Sequence, residues 1–593
     1  MKYSQIFGKT LRDDQKEADV TSANLLLRAG YIRQLAAGIY TYLHFGQRSL
    51  RKIEQIIREE MDAIGGDEIC MPVVHPAEIW QRTNRWFEID ESMVRFKDRS
   101  DRDMVLAMTH EEVVAHLSAT EIDTYKQLPK LIYQIHTKFR DEPRSRGGLI
   151  RVREFTMKDS YSLDRDAEGL QQQYVNHYNA YFRIFARLGL PAVSVLSDTG
   201  MMGGKIAHEY MYLTEIGEDT IFISEQSGYR ANKEVATFHK VYRDEQPGIL
   251  KKIFTPAQKT ISDLASFVKA DSSRFGKVVF YTTEIGSESK VIIAMVPGNL
   301  EVNPLKLQKL IRATSLAPSS EDEIIAVHCV PGFASPIGID RERTIVIIDE
   351  IIAHSNNWIV GANEVDFHIE NVCHGRDFQA DIIGDIVSAY EGAPCPIAKK
   401  PDTVLSTQRG IEIGNIFQLG TKYTEAMGAL FTDQDGKAKP IVMGSYGIGL
   451  GRLLACLCEE YNDAYGLVLP IPVAPYQVII TALVDNDQII QRAGEVYTDL
   501  QESGIEVLLD DRNKKQATPG VKFRDADLLG IPVRLTVSKK SLEKGGVELK
   551  VRGSTALDFV PLENIADQVH TVIQNLWEPI ERMVKNAEKW SNS

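Results

Sequence analysis

One long hairpin constrains this chain more than any other stretch. Two runs, Leu131–Ile135 and Leu149–Phe155, alternate apolar and polar residues with β-branched and aromatic side chains, and they read as strands. Pro143 and Gly147-Gly148 mark the segment between them as a hairpin connection. Lys138–Asp164 crowds Lys138, Arg140, Arg144, Arg146, Arg151, Arg153 and Lys158 into a protein whose formal net charge is −14. Arginines on paired strands hold guanidinium forks in fixed positions, suited to a phosphate chain or a carboxylate. A solvated basic hairpin answers to the same residues, so other stretches must decide.

A chain of 593 residues has room for three or four domains. With 43% hydrophobic and 25% charged residues it has ample core, which excludes a disordered class. Met1-Lys2-Tyr3-Ser4-Gln5 leads into charged residues, which argues against a secretory signal. No apolar run approaches the roughly 20 residues of a membrane span. Cysteines 70, 329, 373, 395, 456 and 458 are too scattered for a disulfide framework. Cys456 and Cys458 read as buried small residues on a helix rather than as zinc ligands, so no zinc is expected. These features point to the cytoplasm. The acidic balance means that any nucleic-acid surface is local.

Leu50, Ile53, Ile57, Met61 and Ile64 share one helical face, and Gly65-Gly66 ends that helix. Glu68–Val74 then reads as a strand, which Pro72 assigns to a sheet edge or to a contact with another subunit. In Met108–His116 the two histidines are six apart, not four, so they point to different faces of a helix and a zinc-protease reading fails. Thr109 and Glu111 remain, either as an N-cap or as a functional pair. Gly200–Tyr210 sets glycines before His208-Glu209, which fits a close approach to a ligand or a plain turn.

From about 224 to 407 the pattern is that of a self-contained α+β domain. A helix at Ile261–Val268, strands at Lys277–Thr283, Val291–Val296 and Thr344–Ile348, and a helix started by Pro304 support it. Asn363, Asp366 and His368 follow a strand near Gly361, where a histidine serves structure or catalysis. Beyond lies Gly410–Thr421, and then Gly447-Ile448-Gly449-Leu450-Gly451-Arg452. That spacing is neither a dinucleotide fingerprint nor a P-loop, but it sets Gly451 and Arg452 at a helix start, which attracts phosphate. Pro470–Pro475 reads as a stiff linker. Strands at Val478–Val484, Glu506–Leu509 and Val533–Val537 then alternate with helices at Ile489–Glu502 and Gly520–Leu529, as in βαβ units.

Taken in order, these segments resemble the bacterial prolyl-tRNA synthetases, class II aminoacyl-tRNA synthetases with an inserted editing domain. The helix and strand ending at Pro72 resemble motif 1, which builds a dimer interface. Phe139-Arg140-Asp141-Glu142, the loop and Arg151-x-x-x-Phe155 resemble motif 2, and Gly447-x-Gly449-x-Gly451-Arg452 resembles motif 3. The resemblance implies an α+β fold. Its parts are an antiparallel-sheet catalytic core at 1–223 and 408–470, an editing insertion at 224–407, and an α/β anticodon-binding domain with a C-terminal tail at 471–593.

It also implies ATP-dependent attachment of L-proline to tRNA(Pro) by a cytoplasmic homodimer, with ATP and Mg²⁺ as the substrate complex. Arg140 is then the residue on the α-phosphate and carboxylate, and Phe155 stacks on adenine with Arg452 on its other face. Glu142, Arg151, Glu412, Gln418, Thr421 and Gly449 complete the ATP site, with Mg²⁺ near Glu412 and no metal site made by protein alone. Thr109, Glu111, His208 and Ser445 bind proline. Arg144, Asp511, Arg512 and Lys522 face tRNA. Gly332, Asp349 and His368 match editing positions that clear alanyl-tRNA. Thr282 stands where the family has a lysine, with Lys277 and Lys290 as substitutes, and Ala393-Pro394-Cys395-Pro396 lacks the second cysteine a metal would need. A synthetase of other specificity and a non-catalytic RNA-binding relative are the alternatives. The second is disfavoured because Arg140, Arg151 and Arg452 are all present.

Overall fold

The computed structural model describes residues 1–590 apart from 17, 203, 205, 286, 287, 314, 399, 401 and 484–486. Gly203 and Lys205 of the glycine loop, and Val484 at the end of an expected strand, therefore lie outside the described residues. The chain divides into two compact units. One comprises Met1–Ser194, Thr199–Glu218 and Gly410–Ser593, the other Val195–Asp198 and Asp219–Arg409.

The first unit is built on a sheet whose strands are β1 (Asp67–Glu68), β2 (Lys130–Phe139), β3 (Glu154–Asp164), β4 (Ile206–Leu213), β5 (Ser406–Gly420) and β6 (Val442–Gly449). Their order is β4-β5-β6-β3-β2-β1, antiparallel except for the parallel β2–β1 pair. The hairpin expected from sequence is the β2–β3 pair, in register from Lys130↔Leu163 to Phe139↔Glu154. Its second strand starts later than the alternation predicts. Leu149, Ile150 and Val152 are buried within the loop, so their apolar pattern reports packing rather than a ladder. Of the strand expected at Glu68–Val74, only Glu68 lies in β1, and Val74 opens a separate short strand, Val74–Pro76, paired with Met104–Leu106. Pro72 instead turns its carbonyl toward the Nε2 atoms of His75 and His110.

Helix α1 (His44–Ala63) buries Leu50, Ile53, Ile57 and Met61, each contributing about 1.5–3 kcal/mol relative to exposure. Helix α2 (Glu111–Glu121) lies on the front of the sheet, and α3 (Ala167–Leu188) covers its back. Asp166 caps α3 by accepting from Gly169 N–H, and Gly189 at φ 81° closes it. Its aromatic face, with Tyr174, Tyr181 and Phe185, packs on Tyr210 and Tyr446. Helix α4 (Lys422–Met427) follows β5, and α5 (Leu450–Glu460) follows β6.

The C-terminal part carries strands in the order Val507–Asp510, Val478–Ala482, Val533–Val537, Gly546–Val551, Asp558–Pro561. The first three are parallel, joined through α6 (Asp487–Glu502) and α7 (Pro519–Leu529), and the last two add antiparallel. The Pro470–Pro475 stretch is no solvated linker, since Ile471, Val473 and Ala474 are buried. Helix α8 (Ile565–Lys585) closes this part.

The second unit holds a five-stranded sheet, ordered Ala317–Pro318, Gly276–Ile285, Glu288–Pro297, Thr344–Asp349, Ile382–Gly384. A three-stranded sheet of Lys251–Phe254, Phe367–Val372 and Trp358–Gly361 accompanies it. Helices fall at Ile261–Val268 and Pro304–Ile311, where the sequence expects them.

Candidate active site

Strand alternation assembles the front of the sheet. Phe155, Met157, Asp159 and Tyr161 of β3 project to one face beside Lys138, His136, Gln134 and Ile132 of β2. Across the other edge Tyr161 faces Ser445 and Asp159 faces Gly447 of β6. The glycine spacing of the third motif now has a plain cause. Gly447 and Gly449 fall on the front face while Tyr446 and Ile448 are buried behind, so the period is that of a strand. A Cβ at Gly447 would meet Asn415 Oδ1 at 3.0 Å. The motif keeps the floor of the site bare.

At one end of this floor Glu111 opens α2. The residue capping that helix is His110, without a side-chain bond, so Thr109 is not an N-cap. Its hydroxyl donates to Glu111 Oε2 instead. Ser445 Oγ donates to Glu111 Oε1 at 2.8 Å. Arg85 Nη1 stands 3.6 Å from Glu111 Oε2 and donates to both oxygens of Glu112, at 2.9 and 3.1 Å. All are buried. Burial raises the Glu112 carboxyl above its usual range, and Arg85 opposes that shift.

Two carboxylates thus stand against one buried guanidinium, with Lys422 close enough to feel both. The neighbouring Lys138–Asp159 pair, 2.8 Å apart, is balanced in itself. His110 stays neutral, pushed down to about 2 chiefly by burial. It is buried and His116 is exposed, so the two histidines do part as their spacing predicts. Sequence reasoning missed Arg85 and Glu112, because nothing local marks an arginine more than twenty residues upstream as their partner.

The other end is cationic. Arg140 Nε donates to Met108 O at 3.3 Å, and the guanidinium sits 5.4 Å from the Phe155 ring centroid. No hydrogen bond engages its terminal nitrogens among the described residues. Desolvation pulls its pKa down, with Glu412, Glu142 and Glu111 restoring charge and Arg452 opposing. Arg452, on the first turn of α5, donates to Ile150 O at 2.8 Å and Glu412 O at 2.7 Å. Asn415 donates to Glu412 Oε1 at 2.7 Å. Glu142 accepts from Arg151 Nε and Nη2 at 2.9 and 2.7 Å, and Arg151 Nη1 reaches Glu218 at 3.0 Å. Arg146 also pairs with Glu218, whereas Arg144 is exposed and makes no ion pair among the described residues.

Several expected residues stand elsewhere. His208 pairs with Ile416 opposite Tyr446, on the back face, where its Nδ1 meets Tyr174 OH at 2.6 Å. It therefore does not share a pocket with Ser445. Gln418 also turns backward and donates to Gln171 of α3 at 2.7 Å. In both cases strand parity, invisible in a motif match, decides the face. Thr421 heads α4, its carbonyl accepting from Glu425 N–H. Gly449 caps α5.

In the C-terminal part, Arg512 spends its nitrogens on Asp510 and Asp525 and lies 3.9 Å over the Tyr3 ring. Lys522 is buried and donates to Ala482 O and Asp510 O, and Asp511 accepts twice from Ser4. The expected RNA-facing role fails for Arg512 and Lys522, since their donors neutralise the interior.

Within the second unit a cavity of about 500 Å³ is lined by Lys259, Thr260, Lys277, Gly332, Gly361 and His368, among others. His368 Nδ1 meets Thr255 Oγ1 at 2.6 Å, and burial pushes the ring down to about 4. Gly361 is obligatory, because a Cβ there would stand 2.0 Å from Phe333 backbone. Lys277 pairs with Glu301 at 2.6 Å, and Lys259 makes no ion pair among the described residues. Asp349 is not on this wall. Its carboxylate caps Ile351 N–H at 2.9 Å and holds Lys240 at 2.8 Å. Thr282, bonded to Ser319, and Lys290, bonded to Glu342 O, also lie off the cavity, so of the two candidate lysines only Lys277 reaches it.

A family model for the class II tRNA synthetase core (G, H, P, S and T) matches residues 94–461, and one for an anticodon-binding domain matches 477–571. Over 577 residues the chain is 45% identical to the proline--tRNA ligase of Dehalococcoides mccartyi, covering 97% of this chain and 99% of that one. The proline--tRNA ligase of Salinispora tropica is 44% identical over 598 residues, covering 99% of each chain. Prolyl-tRNA synthetase from Cryptosporidium parvum, solved with L-proline and AMP, is alike in fold at TM-score 0.56 and 13% identity, covering 98% of this chain and 82% of that one. By length, identity and matched core, the chain belongs to the proline--tRNA ligases, a family of class II aminoacyl-tRNA synthetases.

Proposed function

We propose that this chain joins L-proline to ATP and then to tRNA(Pro). A proline carboxylate oxygen attacks the ATP α-phosphorus, forming prolyl-adenylate and expelling pyrophosphate. A 3′-terminal ribose hydroxyl of the tRNA then attacks the acyl carbon, and AMP leaves. No covalent enzyme intermediate is required, so the chain's contribution is positioning and charge neutralisation. The observation that carries this reading is the pairing of an anionic end, Glu111 with Thr109 and Ser445, with the cationic end at Arg140. A zwitterionic amino acid fits between them, its ammonium on Glu111 and its carboxylate toward Arg140.

Phe155 offers a ring to adenine, while Arg452 and the Glu142-held Arg151 serve the phosphates. Glu412 supplies a carboxylate oxygen suited to a hard cation, and Mg²⁺ brought with ATP would share the phosphate charge there. Arg144 is assigned to the tRNA acceptor end, since it is exposed and uncommitted.

The edge strand β1 and the Pro72 turn are assigned to a homodimer contact, and the chain to the cytoplasm. No helix among the described residues is long and apolar enough to cross a membrane. The inserted segment at 224–407 is assigned to hydrolysis of alanyl-tRNA. A site shaped for proline admits alanine, and a second, smaller site excludes proline by size. His368, Lys277 and Gly332 line the cavity that supports this assignment.

The test is ATP–pyrophosphate exchange with proline, alanine, threonine and glycine. Proline should dominate, with alanine weaker. Exchange driven best by threonine or glycine would reassign the specificity, and exchange with none would leave a binding protein.

A further inference from the structure

The segment that follows α8 packs where the proposed chemistry gives it no reason to be. Trp590 lies behind the active-site sheet and meets three rings edge-on: Tyr178 at 5.0 Å, His208 at 5.6 Å and Tyr174 at 5.8 Å, with interplanar angles of 86°, 81° and 89°. Its backbone N–H donates to Asn179 Oδ1 at 2.8 Å, and Tyr178 OH donates to Glu588 Oε1 at 2.9 Å. These bonds anchor irregular backbone to α3 at two points, while the indole reaches past the helix to β4.

What His208 belongs to gives the contact its meaning. On β4 its neighbours Ala207 and Glu209 stand opposite Phe417 and Asn415. Asn415 holds Glu412, which contacts Arg452 on the phosphate side. Upstream of β4, the Met202 carbonyl accepts from Tyr423 OH at 3.0 Å. Met202 Sδ is 3.7 Å from Arg85 Nη2, the guanidinium that stands against Glu111. Gly204 at φ 109° crosses so close to β5 that a Cβ would lie 2.0 Å from Gln418 O. Strand β4 thus pairs with the strand that carries Asn415, Met202 upstream of it contacts the Arg85 end, and the tail presses on His208 from behind.

We infer that Asn586–Trp590 is a clip on the back of the sheet and that Trp590 is a positioning residue for amino-acid activation, acting through His208 and β4 on Met202, which rests against Arg85 beside Glu111. The inference deepens the proposed proline activation and rests on it. Edge-on rings give a directional contact that an aliphatic side chain does not replace. Loss of the indole lets β4 and Met202 relax, which should weaken the pocket for proline more than the phosphate side, where Arg140 follows β2 and Arg151 is held by Glu142 in the β2–β3 loop.

The experiment uses the full chain and its Trp590→Ala, Trp590→Phe and Glu588→Ala variants. Pyrophosphate exchange is measured with proline and ATP each varied, beside thermal unfolding of every variant. Trp590→Ala should raise KM for proline about tenfold, with kcat and KM for ATP within about twofold. Trp590→Phe should recover most of the loss, and Glu588→Ala should fall between. Unchanged proline KM in folded Trp590→Ala overturns the clip, as does a proportional loss of kcat that tracks the unfolded fraction. If Trp590→Ala does not fold, the same criterion applied to Glu588→Ala and Trp590→Phe decides. Wild-type exchange with proline is the internal control, so failure of the activation reading is seen separately.

Discussion

The Glu111 pocket and the cavity of the inserted unit solve opposite problems. The first is lined with charge: buried Glu111, Glu112 and Arg85 at one end, half-buried Arg140 and Arg452 at the other. The second is a roomy hollow of about 500 Å³ walled by glycine backbone, apolar side chains, a neutral histidine and two lysines. Moving an adenylyl group calls for fixed charges where charge develops, and such a site discriminates weakly by size. Cleaving a small acyl ester calls for shape and a held water. On the proposed reading the two sites divide activation from selection, and the contrast can be broken at either end.

The largest effect is expected at the cationic end. Arg140→Ala should cut proline-dependent exchange about a hundredfold or more, some 3 kcal/mol in the barrier, with the fold intact. Near-normal exchange would mean that the guanidinium does not meet the reacting groups. Next comes the anionic end. Glu111→Gln keeps the size of the side chain but removes the charge that complements an ammonium, so KM for proline should rise about thirtyfold while KM for ATP moves little. A rise in both constants alike would show that the carboxylate merely holds the pocket together.

A smaller effect is expected in the inserted unit. Lys277→Ala should slow release of labelled alanine from alanyl-tRNA about tenfold and leave exchange untouched. If exchange falls equally, the division of labour between the sites is wrong. The smallest expectation is an invariance. Burial pushes the His368 ring down to about 4, so it is neutral between pH 6 and 8. The ratio of wild-type to His368→Ala deacylation should therefore vary less than about twofold between pH 6 and 8. A sigmoid in that ratio near pH 6.5 would show that the histidine titrates as a general base.

The sequence made the β2–β3 hairpin, the helix at His44–Ala63 and the helix start at Gly451-Arg452 legible because their signals are local, whereas the glycine spacing did not disclose the strand that carries Gly447 and Gly449. It also brought Thr109, Glu111, Arg140 and Ser445 to one list, which the structure gathers on one face. Parity was lost. His208 and Gln418 each lie one residue from a front-facing neighbour, and a single step turns a strand side chain to the other side. Arg512 and Lys522 fail for another reason: a basic residue beside Asp510-Asp511 reads equally as an RNA contact or as a counter-ion, and only burial separates the two. Asp349 misled similarly, as a capping carboxylate and an ion-pair partner share one letter.

The position of β6 carries a consequence for biosynthesis. It lies between β3 and β5, yet it is synthesised more than 270 residues after β3 ends. At about 5–20 residues per second, a ribosome leaves the β3 edge without its neighbour for tens of seconds, time enough for the intervening segment to emerge and fold. Until Val442 arrives, the nascent half-sheet presents a long unpaired row of amides, the kind of edge to which other chains add. Helix α3, delivered directly after β3, can shield its back but not that row. The hazard for this enzyme is thus one of timing. A pause in translation before residue 442 prolongs it, whereas a pause after β6 has emerged does not.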